Sequence, residues 1–525
     1  MRLIWTNLIA PILAALICLH PADTAQARMN ETRQSVEDST DTPNIQRADA
    51  TTSVYRQQQP YLGAVATRTQ IPAVRSATAT SMMGYTYHDT RDELTAIKLL
   101  FTNWYVNSRG NEMGSGGPLF IRAKIEYPAG IFTDVTFDGR EPGIAPDGAS
   151  IVSDFTQVHI PAFKRFKVHV KRVWSGSGRA IYNQSWAHSP EDTLLVGPDS
   201  ETVPLGSTLL SNANGLAAPP AAILGITTRP SMLVIGDSNE VGTADTYDRS
   251  GLVGKVNRLF GSRIGYINAA RGSESSYNFV QSHSRRVQLA DYTTHIYIGH
   301  TTNDTNFITR DVIRYLEVIA RYFPEKTLIS STASPITSSL DGWKTLEQQT
   351  PRGNETKRLE QNRWRRGNEH PFHHMLEYAD RVESTRDSGR WKVPGYTSDG
   401  VHGSQIAALA ALEDMFDLGL VAFEPVGDTT PPTILSAGHI KAKSSERVVT
   451  TLEADESGTW SIHGGRDAAR FTIDPLNGAL QFVEPAADFK GSPAGPAGST
   501  YTVNIRFTDH AGLFVGKTLF VAITD

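Results

Sequence analysis

Hydrophobic and polar positions along this chain fall into three patterns, each covering its own stretch. Between residues 80 and 225 the runs are short and alternate. Phe166-Lys167-Val168-His169-Val170-Lys171 puts aromatic and branched side chains on one face and basic ones on the other, as a half-buried antiparallel strand does. Similar runs cover residues 96–106, 119–127, 132–137 and 150–160, separated by Asp138-Gly139 and Pro146-Asp147-Gly148, with one short helix expected near Glu93. Strands at that spacing predict an accessory β-sandwich or jelly-roll over residues 76–225. Its Trp104, Trp174 and Trp186 read as core or rim packing, with a platform for a sugar face as the alternative.

Ala217-Ala218-Pro219-Pro220-Ala221 marks a boundary. Beyond it, buried-strand runs at 232–235, 264–269, 295–298 and 326–330 alternate with helical patterns at 252–260, 310–323 and 404–416. Strands without a polar face are buried on both sides, so residues 226–425 predict a three-layer α/β domain around a mostly parallel sheet. The stretch 340–390, with Lys357, Arg358, Arg363, Arg365 and Arg366, reads as a solvated charge run; helices over the crevice or a basic rim are the alternatives. A second linker, Gly427-Asp428-Thr429-Thr430-Pro431-Pro432, opens the third pattern. Residues 471–480 read as two strands around an Asn-Gly turn and 501–509 alternate with period 2, so residues 426–525 predict a small β-sandwich.

Composition adds limits. With 525 residues the chain exceeds one ordinary core, and 39% hydrophobic with 20% charged residues describes a globular protein. A net charge of -5 and no basic module argue against a nucleic-acid partner. The first 27 residues change the picture more. Arg2, the apolar run 8–19 and the small-x-small site Ala25-Gln26-Ala27 read as a secretory signal peptide, so the mature chain is expected to be secreted, periplasmic or at the cell surface. Residues 28–75 are polar and read as a linker or loosely ordered arm. No later run reaches the roughly 20 apolar residues of a membrane span, so no integral membrane segment is expected in the mature chain. The only cysteine, Cys18, lies inside the leader, and bulky Leu16 and Ile17 before it disfavour acylation there. Without thiols the mature chain has no disulfide, thiolate nucleophile or cysteine-held metal.

The run Met232-Leu233-Val234-Ile235 ends in Gly236-Asp237-Ser238-Asn239. Open α/β sheets bind ligands at the carboxyl ends of their strands, so Ser238 is either a nucleophile or part of a hydrogen-bonded turn. A hydroxyl nucleophile needs a base and a group that orients the base. The only Asp-x-x-His pair of this domain is Asp399-Gly400-Val401-His402, in the loop before the last helix, where capping near Ser404 is the alternative role of His402. Negative charge on a tetrahedral carbon needs donors, and Arg271-Gly272-Ser273 and Thr302-Asn303-Asp304 follow two of the buried strands. Four polar motifs at loops of one α/β unit are stronger together than any one alone.

In that order, Gly236-Asp237-Ser238, Gly272, Asn303-Asp304 and Asp399-x-x-His402 resemble the SGNH, or GDSL, hydrolase family over about residues 228–420. The resemblance implies a central flavodoxin-like α/β/α sandwich in a multidomain chain. It implies Ser238 as nucleophile, His402 as general base, Asp399 orienting it, and an oxyanion hole of Ser238, Gly272 and Asn303, with no cofactor for catalysis. Thr301-Thr302-Asn303-Asp304 departs from the usual Gly-x-Asn-Asp of that family, and the nearest glycine is Gly299. The nucleophile elbow Gly-x-Ser-x-Gly is absent, which argues against the α/β-hydrolase fold. The tail resembles a cadherin-like β-sandwich on residues 471–480 and 501–509. That likeness brings calcium into view at Asp455, Glu456, Asp488 and Asp509, with metal-free surface acids as the alternative. The expected activity is ester hydrolysis through an acyl-enzyme, with an acylated polysaccharide or other ester as substrate and deacetylation of a polysaccharide favoured. A lipase or phospholipase and a non-catalytic carbohydrate-binding or adhesive protein are the alternatives, and the oligomeric state stays open.

Overall fold

Side chains of a strand alternate between its two faces, and when both are apolar the strand must be covered twice. Ser231–Gly236 meets that condition: Leu233 and Ile235 enter one core, Met232 and Val234 another, all fully buried. In this computed structural model, which describes residues 59–183, 192–209, 216–245, 254–261, 263–411, 431–456, 458–485, 500–509 and 513–524, that strand lies inside a five-stranded parallel sheet. The spatial order is Gly265–Asn268, Ser231–Gly236, His295–Gly299, Thr327–Ser331, His374–Leu376, or 2-1-3-4-5 in chain order. Helix Thr309–Arg321 covers the first face with Val312, Leu316 and Ile319. Helical residues 254–261 and helices Tyr378–Val382 and Gln405–Ala410 cover the other with Val256, Phe260, Tyr378, Val382 and Ala407.

The first β domain is a sandwich of two antiparallel sheets. Tyr61–Ala64, Ala222–Thr227, Leu94–Thr102 and Ser150–Val152 form one, with Thr156–Ile160 also on Leu94–Thr102. Thr193–Val196, Ser81–Asp89, Arg165–Trp174, Leu119–Glu126 and Phe132–Val135 form the other. Between them pack Ile97, Leu99, Phe101, Ile121, Ile125, Phe166 and Val168. Two expectations need correction. The helix expected near Glu93 is the approach to strand Leu94–Thr102, of which Leu94, Ile97 and residues 99–102 are buried. The arm expected to run to 75 is structured from 59 on: Tyr61–Ala64 joins the first sheet, and Tyr266 and Ile71 pair by backbone hydrogen bonds with Ala66 and Asn268, covering the edge of the parallel sheet. Trp104 and Trp174 are core residues at 1% and 3% exposure, not a sugar platform, and Trp186 lies outside the described residues.

The 340–390 stretch is likewise not a solvated charge run. It supplies the strand Gln349–Pro351, paired with Thr337–Ser339 just before it, the helix Glu355–Arg366, the fifth parallel strand and the helix Tyr378–Val382. Arg358 and Arg365 are buried; Arg358 donates to Glu355, Glu383 and the Ala333 carbonyl, and Arg365 to the His300 carbonyl. Buried acids and carbonyls turned these cations inward, and composition does not show such partners. Arg363 alone of the five points fully to solvent.

The tail has a four-stranded sheet, His439–Lys443, Phe514–Thr524, Thr500–Asp509 and Gly458–Gly464, and a three-stranded one, Val448–Thr451, Ala479–Phe482 and Phe471–Ile473. The turn before Ala479–Phe482 has Gly478 at φ 69, a conformation that favours glycine. Among the described residues no helix is long and apolar enough to cross a membrane. The expected signal peptide, with Arg2 and Cys18, lies outside them.

Candidate active site

The sheet's carboxyl edge begins with two glycines. Gly236 and Gly299 are register partners on adjacent strands, and a Cβ on either would stand 2.7 or 2.3 Å from the Glu240 side chain. Their bareness lets Glu240 fold back under the short helix Ser238–Val241. There Glu240 accepts from the Asp237 backbone N–H at 3.1 Å and pairs with Lys255 Nζ at 2.8 Å, all three residues being buried. Burial disfavours charge on Lys255, but the Glu240 carboxylate outweighs it and raises the pKa of the ammonium, which also lies 4.5 Å from the Tyr378 ring centroid.

Asp237 braces the other side. Its Oδ1 accepts from the Asn239 N–H at 2.9 Å, and its Oδ2 from the Thr302 N–H at 3.0 Å. Asn239 Nδ2 donates to Thr302 Oγ1 at 2.9 Å. Thr302 is therefore an anchor point that ties the Asn303 loop to the Ser238 turn.

Ser238, Asp399 and His402 are brought together. His402 Nε2 lies 2.8 Å from Ser238 Oγ, and His402 Nδ1 lies 2.6 Å from Asp399 Oδ2. Burial works against ionisation of Asp399. The His402 ring and the backbone N–H groups of His402 and Val401 outweigh it and hold the carboxyl at about 2. An ionised carboxylate only accepts, so the ring proton sits on Nδ1 and the Nε2 lone pair faces the Ser238 hydroxyl. The loop is shaped by Gly400 at φ 76: its carbonyl accepts from Thr337 N–H and Trp391 Nε1, and a Cβ there would strike the Thr337 carbonyl at 2.1 Å. Ser404 begins the next helix without help from His402, which is turned to Ser238 instead.

Gly272 lies beside the same serine. A Cβ built on Gly272 would lie 3.9 Å from Ser238 Cβ, and the loop is tied to strand Ser231–Gly236 by Arg271 N–H donating to the Gly236 carbonyl at 3.0 Å. Asn303 Nδ2 donates to the Glu274 carbonyl at 3.0 Å, which fixes the amide plane. Sequence reasoning missed Glu240, Lys255, Glu274 and Arg286. One signal was available: Asp237-Ser238-Asn239-Glu240 has the spacing of a helix capping box. Lys255 and Arg286 are far along the chain from their partners and carry no such local mark.

The acids considered for calcium have other occupants. Lys164 Nζ lies between Glu456, with which it forms a short ion pair, and Asp455 Oδ2 at 3.4 Å, and Asp509 accepts from Leu513 N–H at 2.8 Å. At Asp455 and Glu456 a lysine already supplies the positive charge; Asp488 lies outside the described residues. Among the described residues no three His, Cys, Asp or Glu side chains gather closely enough to hold a metal.

No known family model matches the chain, and no curated protein matches it. Among solved structures, a Streptococcus pneumonia protein provisionally named a platelet activating factor aligns with 36% of this chain and 84% of its own, at 18% identity and a TM-score of 0.26. Protocadherin gamma B7 aligns with 19% of this chain at 18% identity, and the human desmocollin-1 ectodomain with 19% at 16%, both at a TM-score of 0.16. The chain spans 25% and 21% of those two cadherin structures. Likenesses this slight assign nothing, and the chemistry of the site rests on its own geometry.

Proposed function

We propose that this chain is an exported serine esterase of the SGNH type that hydrolyses carboxylic esters through an acyl-enzyme. The observation that carries the reading is the continuous line Asp399 Oδ2, His402 Nδ1, His402 Nε2, Ser238 Oγ, with contacts of 2.6 and 2.8 Å at the carboxyl edge of the parallel sheet. The 2-1-3-4-5 strand order is the flavodoxin-like one, which supports the family's fold for the central domain. The cadherin-like reading of the tail belongs to the same proposal and rests on its two-sheet plan.

In the first half-reaction His402 Nε2 takes the Ser238 proton as Oγ attacks the ester carbonyl. The tetrahedral oxyanion is held by the N–H groups of Ser238 and Gly272 and by the side-chain amide of Asn303. Collapse breaks the bond to the leaving alcohol, which receives the proton from His402. Water then attacks the acyl-serine, gives its proton to His402, and the acid leaves as Ser238 is reprotonated. Asp399 stabilises the imidazolium formed in each half-reaction without taking its proton.

Removal of small acyl groups, acetyl above all, from a polysaccharide is the substrate class proposed. The expected export and the β-sandwich domains on either side of the α/β unit favour it, and the polar side chains of helix Glu355–Arg366 do not make the apolar lid that a lipase would present. The test is release of acetate from acetylated glycans beside a matched lipid panel, with Ser238→Ala as control. Ser238-dependent acetate release supports the proposal, and preferential cleavage of long-chain lipid esters transfers it to a lipase. A folded protein that cleaves neither is a binding protein.

A further inference from the structure

We infer that the first β domain helps to build the oxyanion site: Glu112 acts through Arg286 and Glu274 on Asn303, and the carbonyls of Val106 and Asn107 act through Arg271 on the Gly272 loop. The inference rests on the esterase reading and extends it to positioning residues outside the α/β unit.

The hairpin Trp104–Val106 with Glu112–Gly114 belongs to the first domain, and its Trp104 and Val106 enter the same core as Leu233 and Ile298 of the central sheet. That shared core already joins the domains, so the ionic contacts beside it are not needed for adhesion. Arg286, fully buried, donates through Nε to Glu112 Oε1 at 3.2 Å and through Nη1 to both Glu274 oxygens at 2.8 Å. Its backbone N–H also donates to Glu112 Oε1 at 2.9 Å, and its Nη2 to the Gly110 carbonyl at 3.3 Å. Glu274 is buried as well, receives His300 Nε2 at 3.2 Å, and its own carbonyl holds the Asn303 amide. The chain of bonds therefore runs from a strand of the accessory domain to the side chain proposed to meet the oxyanion. In parallel, Arg271 Nε donates to Val106 O at 2.9 Å and Asn107 O at 3.1 Å, one residue before Gly272.

Two buried carboxylates around one guanidinium are costly to desolvate, and their return is directional: each bond fixes an angle as well as a distance. Oxyanion donors work only within a few tenths of an ångström of their best distance, so a tether that sets Asn303 acts on the transition state more than on the bound ester. Glu112 touches no substrate atom. It is a positioning residue.

The test is Glu112→Gln in the full chain, assayed on a short acyl ester beside Asn303→Ala, the double variant and Ser238→Ala, with melting curves for each. The expected result is about a tenfold fall in kcat with KM changed less than about twofold, and little further loss when the substitution is made on Asn303→Ala. Unchanged kcat, or the same tenfold loss in both backgrounds, overturns the inference, as does a lower melting temperature with full kcat. Should Glu112→Gln not fold, Arg271→Gln cuts the second tether; a fall in kcat at near-constant KM supports the inference, and full kcat overturns it. Wild-type hydrolysis that survives in Ser238→Ala sinks the esterase reading itself and takes the inference with it. Ser238-dependent hydrolysis that ignores Glu112 and Arg271 removes the inference alone.

Discussion

The two sides of the candidate site are built differently. Ser238 stands on a turn braced from below by the buried Glu240–Lys255 pair and from the side by Asp237, whose carboxylate joins two loops. Asp399 and His402 stand on a surface loop, their side chains 41% and 15% exposed, shaped by Gly400 and by bonds to Thr397, Thr337 and Trp391. The serine side spends buried charge on rigidity, and the histidine side keeps its charge near water. A nucleophile and oxyanion donors must hold still, whereas a base must exchange protons with solvent-derived water in every cycle.

The largest expected effect comes from removing either partner of the short contact. Ser238→Ala or His402→Ala should lower turnover by about four to six orders of magnitude with the fold intact, read by ester hydrolysis and circular dichroism. A loss of less than tenfold for either would break the comparison at its centre. Next is Lys255→Met, which strands Glu240 as an unpaired buried acid and should cost about 3–5 kcal/mol in urea unfolding. Adding Glu240→Gln should recover at least half of that; no recovery would mean the pair is not the brace. Asn303→Ala should raise the barrier by about 3 kcal/mol, roughly a hundredfold in kcat, with KM nearly constant. Equal rises in KM would assign Asn303 to ground-state binding instead.

The smallest effect is in acid. The folded Asp399 carboxyl is held at about 2 against 3.8 for the free group, so the stability it contributes is complete above about 3.8 and is lost as pH falls toward 2. Melting curves of wild type and Asp399→Asn should differ most above pH 4 and converge below it. A difference that grows in acid would reverse the assigned cause. Because the side chain is partly exposed, solvent screening keeps this contribution small.

Much of this was legible along the chain because it is local. The apolar run 232–235, the helix 310–323 and the Asn477-Gly478 turn follow from periodicity and turn chemistry over a few residues, and they sit where those signals put them. Asp399-x-x-His402 was legible for the same reason: two residues three apart on one loop reach one another without help from the rest of the fold. Arg358 and Arg365 were misread as solvated because the acids and carbonyls that hold them lie on other elements. Glu112 and Arg286 are 174 residues apart, and no pattern in either neighbourhood announces the other.

By itself the amino-acid sequence determined the alternation of strand and helix, the loops that carry Ser238, Gly272, Asn303 and His402, and the supply of a hydroxyl, an imidazole and a carboxylate. Tertiary structure alone decided that His402 turns to Ser238 rather than to its own helix, that Thr302 ties two loops together, and that a hairpin of the first domain is bonded to Arg271 and Arg286. The physical reason is range. Backbone propensity and side-chain periodicity act over a few residues, whereas the partner of a buried charge is whichever opposite group the packed core brings within 3 Å of it.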